Sequence, residues 1–251
     1  MKITYRPEID GLRGIAVIAV ILYHAQINIF DHNFFKGGFL GVDIFFVISG
    51  YLITSLILKE LVTTGKFSFL NFYKRRARRI LPILLVVILA SLPFALIYLL
   101  PNSLEKFSQS ILYQLGFNSN FYFWSYYNFS YAAENALTLP LLHTWSLSVE
   151  EQFYFLFPIC FFIVFKFFKK YLIHIIILTI ITTLILAHWA SIRYPSFTFY
   201  MLPFRIWELL AGSILSILEI FFKKRRLSLI GDSQGAIFSS NDPGRYPKSF
   251  P

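Results

Sequence analysis

Arg13 and His24 stand eleven positions apart inside one apolar run, Leu12–Phe30. At 100° per residue that is three turns plus about 20°, so the two side chains share a helix face about 16 Å apart along the axis. An ionisable residue inside a spanning helix costs at least ~2.5 kcal/mol on insertion scales, so it faces a cavity or a partner. Two of them on one face point to a polar cavity or active site running through half the membrane. The blander alternative is an arginine that snorkels to the interface and a histidine satisfied by a neighbouring helix. Imidazole exchanges a proton near neutral pH, which makes His24 the candidate general base.

Further polar residues sit at the starts of other apolar runs. His143, Ser146 and Glu150 fall at i, i+3 and i+7 on one helix face, with Glu151 beside them. Glu150 or Glu151 could orient a catalytic imidazole or hold an acceptor hydroxyl, and spacing does not choose between them. Asp43 lies near the start of another run, and Arg205 and Glu208 form an i, i+3 pair at the start of a third. Asp43, His143, Ser146, Arg205 and Glu208 are therefore candidate substrate contacts. On the opposite side lies Lys74-Arg75-Arg76-Ala77-Arg78-Arg79. It reads as a topology signal or an anionic-lipid contact. Its other reading is a phosphate clamp, with Arg76 and Arg79 pointing one way and Arg75 beside them.

The elements that must position these residues are membrane helices. Of 251 residues, 57% are hydrophobic and only 14% are charged, against about 25% charge in a soluble domain. The expected fold is all-α, a polytopic membrane bundle of about six transmembrane helices. The runs are Leu12–Phe30, Gly38–Leu58, Ile80–Leu100, Leu142–Phe165, Tyr171–Ala190 and Phe204–Phe222. The first run is too long for a signal peptide, holds Arg13 and His24 and lacks a small-residue cleavage site, so it reads as a retained span. The basic clusters Lys59–Arg79, Lys166–Lys170 and Lys223–Arg226 all fall on one side if the N-terminus is cytoplasmic. The expected location is the cytoplasmic membrane, with the N-terminus and C-terminal tail inside. Leu104–Trp124 is semi-apolar and carries Glu105, Lys106 and Gln114; the charge rule favours an outer-leaflet or re-entrant helix there.

Residues 1–226 form the expected membrane domain, and 227–251 are expected to be a polar, disordered tail. The formal charge of +10 reflects orientation signals, so no nucleic-acid partner is expected. Cys160 is the single cysteine and excludes an internal disulfide. No metal-ligand spacing, Walker loop or Gly-x-Ser-x-Gly occurs, so no metal is expected.

The motifs resemble the acyltransferase-3 family of membrane O-acyltransferases. The matching stretches are Arg6–Gly14 with His24, Gly41–Tyr51, Phe72-Tyr73 through Arg76-x-x-Arg79, His143–Tyr154, and Arg205 with Glu208 and Gly212. The resemblance covers about residues 5–222. It implies transfer of an acyl group, usually acetyl, from cytoplasmic acyl-CoA to a carbohydrate hydroxyl, as in lipopolysaccharide O-antigen, exopolysaccharide or peptidoglycan. Acetyl-CoA would be the donor substrate. The resemblance carries Arg13 and His24 over as transfer residues, and Arg76 and Arg79 as the CoA-side pair. His24 would deprotonate the acceptor or carry the acyl group covalently, and Arg13 would steady the thioester or its oxyanion. Family members hold more spans than this chain, so a truncated product is also expected. An inactive fragment or non-enzymatic subunit is thus the alternative to a working enzyme, with a transporter behind both.

Overall fold

The computed structural model describes residues 6–25, 28–29, 32–33, 35–129 and 139–240. Its framework is helical. α1 (Pro7–His24) is followed by a two-stranded antiparallel ribbon, β1 (Asn28–Ile29) with β2 (His32–Asn33), in which Asn28 pairs with Asn33. The long helices α2 (Leu40–Thr64) and α3 (Phe69–Tyr98) come next, then the shorter α4 (Pro101–Leu115) and α5 (Ser119–Phe129). A 3-10 turn at Leu142–Thr144 leads into α6 (Trp145–Phe167). α7 (Leu172–Arg193), α8 (Pro195–Tyr200) and α9 (Leu202–Ser240) complete the described chain.

Five helical segments among the described residues are long and apolar enough to cross a membrane: Leu40–Thr64, Phe69–Tyr98, Leu142–Phe167, Lys169–Arg193 and Pro195–Phe222. They correspond to the second to sixth expected spans. The first differs. α1 starts early, where Pro7 supplies a preset φ and Glu8 and Asp10 complement the helix N-terminus, and it stops at His24 rather than Phe30. With Glu8, Asp10 and Arg13 it is also too charged to count among the apolar spans.

The helices pack in a definite sense. α1 runs antiparallel to α2, since Arg6 meets Tyr51 while Gly38 and Gly41 lie under Ala19 and Ala16. α1 therefore flanks only the Leu40–Tyr51 half of α2. α2 and α9 run parallel: Asp43 bonds Arg205, Ser55 bonds Ser216 and Tyr51 bonds Glu219. Their backbones touch at two glycines. A Cβ on Gly50 would strike the Leu209 carbonyl, and one on Gly212 would strike the Val47 carbonyl. α6 is parallel to α2, through Phe46 with Trp145 and Ser49 with Glu150. α3 is antiparallel to α6, through Phe69 with Phe162 and Tyr73 with Phe155.

Two further departures concern segments 104–124 and 227–251. Leu104–Trp124 is no single helix. It breaks at Gly116–Asn118, where Phe117 takes φ 53°, and α4 and α5 fold back as a helical hairpin. Gln152 Nε2 donates to the Phe117 carbonyl at 3.0 Å and to Asn120 Oδ1 at 2.9 Å, so the hairpin tip reaches two turns down α6. Ser119 and Ser148 join their hydroxyls at 2.8 Å, and Asn120 bonds the Tyr200 carbonyl at 3.2 Å. A buried polar seam thus holds the hairpin to α6 and α8. Burial pushes the Tyr122 phenol up to about 12, helped by Tyr126, Tyr113 and Glu105, so it stays protonated and donates to the Lys106 carbonyl at 2.9 Å. At the other end, no proline occurs between Pro203 and Pro243, and the backbone of 227–240, assigned to a tail on composition, continues α9 to Ser240. Residues 241–251 of that expected tail lie outside the described residues.

Candidate functional site

α1, α2, α3 and α6 bring a chain of charged groups together inside the bundle. Glu150, one turn into α6, is at its centre. Its Oε1 accepts from Ser49 Oγ of α2 at 2.9 Å, and its Oε2 accepts from Tyr154 OH at 3.2 Å. Arg13 of α1 and Arg76 of α3 both lie within electrostatic reach of it. Arg13 also faces Asp10 at 3.9 Å, while its Nε is buried without a hydrogen-bond partner among the described residues. A buried charge is tolerated when others compensate it, and here one carboxylate lies between two guanidinium groups.

Arg76 lies midway along the bundle, not at its basic mouth. Its guanidinium stands 5.2 Å from the Tyr154 ring and 5.9 Å from the Phe72 ring, and it interacts with Glu151. Glu151 keeps a buried Oε1 with no partner among the described residues. Both residues line a cavity of about 450 Å³, together with Tyr73, Phe155, Asn118 and Gln152. The α4–α5 hairpin tip forms one wall, so this space exists only because that segment turns back into the bundle.

The three arginines expected to act together are divided. Arg75 pairs with Glu60 at 3.3 Å, whose other oxygen accepts from the Ser68 backbone N–H at 2.9 Å. Arg79 is exposed but remains within electrostatic reach of Arg76. Only Arg76 enters the cavity.

His24 sits at the exposed C-terminal end of α1, not deep within a span. Its Nδ1 lies 2.9 Å from the Val20 carbonyl. A carbonyl only accepts, so Nδ1 carries the hydrogen and the Nε2 lone pair is left to take a proton. The Tyr23 ring packs edge-on at 5.2 Å and steadies the imidazole. His143, in the 3-10 turn before α6, lies within electrostatic reach of His24. Ser146 instead donates to the His143 carbonyl at 3.3 Å, a local helix bond that leaves it outside the charge network.

A second ionic group lies at the same end of the bundle. Arg205 Nη1 bonds Asp43 at 3.0 Å and Glu208 at 2.8 Å, and its Nε donates to the Phe199 carbonyl at 3.3 Å. The guanidinium rests over the rings of Phe199 at 5.0 Å and Trp145 at 6.0 Å. Sequence reasoning grouped Asp43, Arg205 and Glu208 by depth, and the fold bonds them directly.

Two partners were not singled out in advance, Ser49 and Tyr154. Their signals were available: a hydroxyl beside Gly50 in an otherwise apolar run, and a tyrosine four residues after Glu150 on the same face. Arg6, Tyr51 and Glu219 were missed as a set. Arg6 bonds Tyr51 OH at 2.6 Å and Glu219 at 2.8 Å, clamping the start of α1 to α2 and α9. Nothing in the spacing of residues 6, 51 and 219 announces that contact.

Comparison with known proteins relates the chain to acyltransferases. The acyltransferase domain model matches residues 6–231. An O-acetyltransferase OatA of Staphylococcus aureus is 44% identical over 155 residues, covering 62% of this chain and 24% of the relative. A peptidoglycan O-acetyltransferase OatA of Listeria monocytogenes is 36% identical over 224 residues, covering 86% of this chain and 34% of the relative. The chain thus spans about a quarter to a third of the length of these relatives. No solved structure matches it.

Proposed function

We propose that this chain, which belongs to the acyltransferase-3 family through its match over residues 6–231, carries the membrane-embedded centre of an O-acetyltransferase. The donor is acetyl-CoA and the acceptor is a hydroxyl of a cell-surface carbohydrate. Peptidoglycan is the preferred acceptor among these, because one of the similar proteins is named for it. The observation that supports the reading best is the connection of Arg76 in its cavity to Arg13 on the His24 helix through Glu150.

In this reading the donor approaches from the basic end, where Arg79 meets its phosphates, and runs past Arg76 in the cavity, and its acyl end reaches beyond Arg13 toward His24. His24 Nε2 takes the proton from the acceptor hydroxyl. The hydroxyl oxygen forms a bond to the thioester carbonyl carbon, the carbon–sulfur bond breaks, and the proton passes on to the departing thiolate. In the covalent variant Nε2 itself attacks the thioester carbonyl carbon and the carbon–sulfur bond breaks to release the thiolate, and the acceptor hydroxyl then displaces the acetyl group from the imidazole, its proton passing to the freed Nε2. Arg13, three turns of α1 away from His24, holds the donor on its way to that end in either case. The His24 end faces outward and the basic end inward, with residues 1–226 as the catalytic membrane unit.

The test is transfer of labelled acetyl from acetyl-CoA in membranes containing this chain, beside His24→Ala. Label that reaches glycan or the chain itself with the natural sequence, but not with the variant, is the expected result. Equal label with both removes His24 from the chemistry. No label with either, in membranes that contain the folded chain, replaces the enzyme reading with that of an inactive portion of a larger enzyme.

A further inference from the structure

Behind the Arg205 cluster, α7, α8 and α9 enclose a second cavity of about 390 Å³ that the charge network from Arg13 to Arg76 does not use. His188, Ser191, Thr198 and Trp207 line it, with Arg205 and Glu208. Its polar groups offer both acceptors and donors, the latter including the Trp207 indole N–H. Ser191 Oγ donates to the His188 carbonyl at 2.8 Å, and Thr198 Oγ1 donates to the Tyr194 carbonyl at 2.9 Å. Each hydroxyl hydrogen is thereby used, and each oxygen keeps lone pairs for an incoming donor. Glu208 is only 1% exposed, and its Oε2 is buried with no partner among the described residues. Arg205, the obvious anion ligand, is already engaged by two carboxylates and a carbonyl. Trp207 adds an aromatic surface. Hydroxyl oxygens free to accept, an indole N–H free to donate, a cation already paired with carboxylates and an aromatic wall suit a neutral ligand rich in hydroxyl groups, with an apolar face to lie on a ring.

We infer that this α7–α9 cavity is a saccharide-binding subsite at the His24 end of the bundle. The inference rests on the acetyl-transfer reading for its role as an acceptor site, while the binding it predicts is measurable without turnover. The Arg205–Glu208 pair forms its floor and links it to Asp43 on α2, the helix that α1 flanks.

The experiment is titration of the full chain in lipid nanodiscs with chitotetraose, a soluble N-acetylated oligosaccharide, followed by tryptophan fluorescence and by calorimetry. Saturable binding is expected. Trp207→Leu and the near-isosteric Thr198→Val are each expected to weaken it at least about tenfold. Inorganic phosphate is not expected to compete. Absence of saturable binding overturns the proposal, as does unchanged affinity in both variants or displacement by phosphate at the sugar's own concentration. If binding depends on Trp207 yet acetyl-CoA gives no transfer, the transfer reading fails and the subsite stands. If transfer proceeds while both variants bind like the natural chain, the subsite fails and the transfer reading stands.

Discussion

A single hydrogen bond decides what His24 can do. With Nδ1 donating to the Val20 carbonyl, Nε2 is the nitrogen left for the base role proposed for His24. Positioned acid–base groups contribute roughly 10²–10⁴-fold, so His24→Ala should lower acetyl transfer by at least about 100-fold, read as initial rate at saturating acetyl-CoA. Glu150 makes a different prediction. Glu150→Gln keeps hydrogen-bonding capacity toward Ser49 and Tyr154 but removes the charge between Arg13 and Arg76. Loss of one charge-assisted interaction is worth about 1.5–3 kcal/mol, so kcat should fall ~10-fold or more while the purified variant stays folded. Arg76→Ala should instead act on the donor, raising KM for acetyl-CoA more than it lowers kcat. An equal fall in kcat for Arg76→Ala would move Arg76 from donor binding to the chemical step.

At the scale of elements, the site depends on how closely α2 and α9 approach. Gly50 and Gly212 let the two backbones meet, and that contact brings Asp43 to Arg205. A side chain at either position must push the helices apart. Gly212→Leu should therefore destabilise the chain by about 1–3 kcal/mol or more, seen as a lower thermal midpoint in detergent. It should also weaken the Asp43–Arg205 pair. An unchanged midpoint would mean that the seam is looser than its geometry. α1 is held differently: among its described residues only Ala16 is buried, and Arg6 clamps its start to Tyr51 and Glu219. The helix that carries Arg13 and His24 is thus the least enclosed of those that build the site.

At the scale of the whole molecule, orientation decides which side His24 serves. In the proposed orientation the basic clusters put the Lys66 end inside and the Tyr194 end outside. Cys160 is the single cysteine, so Cys160→Ala gives a clean background for labelling. In that background, Tyr194→Cys should react with an impermeant thiol reagent added to intact cells, and Lys66→Cys should react only after lysis. The opposite pattern would turn the chain over and put His24 on the donor's side. Much apolar surface on α3 and α7 remains exposed, including Val86, Phe94, Leu178 and Ile185, as suits helices surrounded by lipid tails.

The helical membrane class, five of the spans and the charged residues Arg13, Arg76, Glu150 and Glu151 were legible in the sequence, whereas Ser49 and Tyr154 were not. Each legible feature is written in local terms: apolar length, charge at depth, and spacing on one helix face. The family resemblance pointed to Arg13, His24, Arg76 and Arg79. What the tertiary structure alone decided is which of them meet. Arg76 enters a mid-bundle cavity while Arg75 is held by Glu60 and Arg79 stays exposed, although all three lie within five positions. The hairpin at Gly116–Asn118 that walls that cavity depends on Gln152 and Ser148 of another helix. His24 is at a helix end because α1 starts at Pro7 and lies against only half of α2. Such contacts join residues up to 213 positions apart. Helix periodicity fixes the direction of a side chain about its own axis, but the partner across a seam is set by how far two helices slide and how closely they approach, and those are properties of the packed bundle.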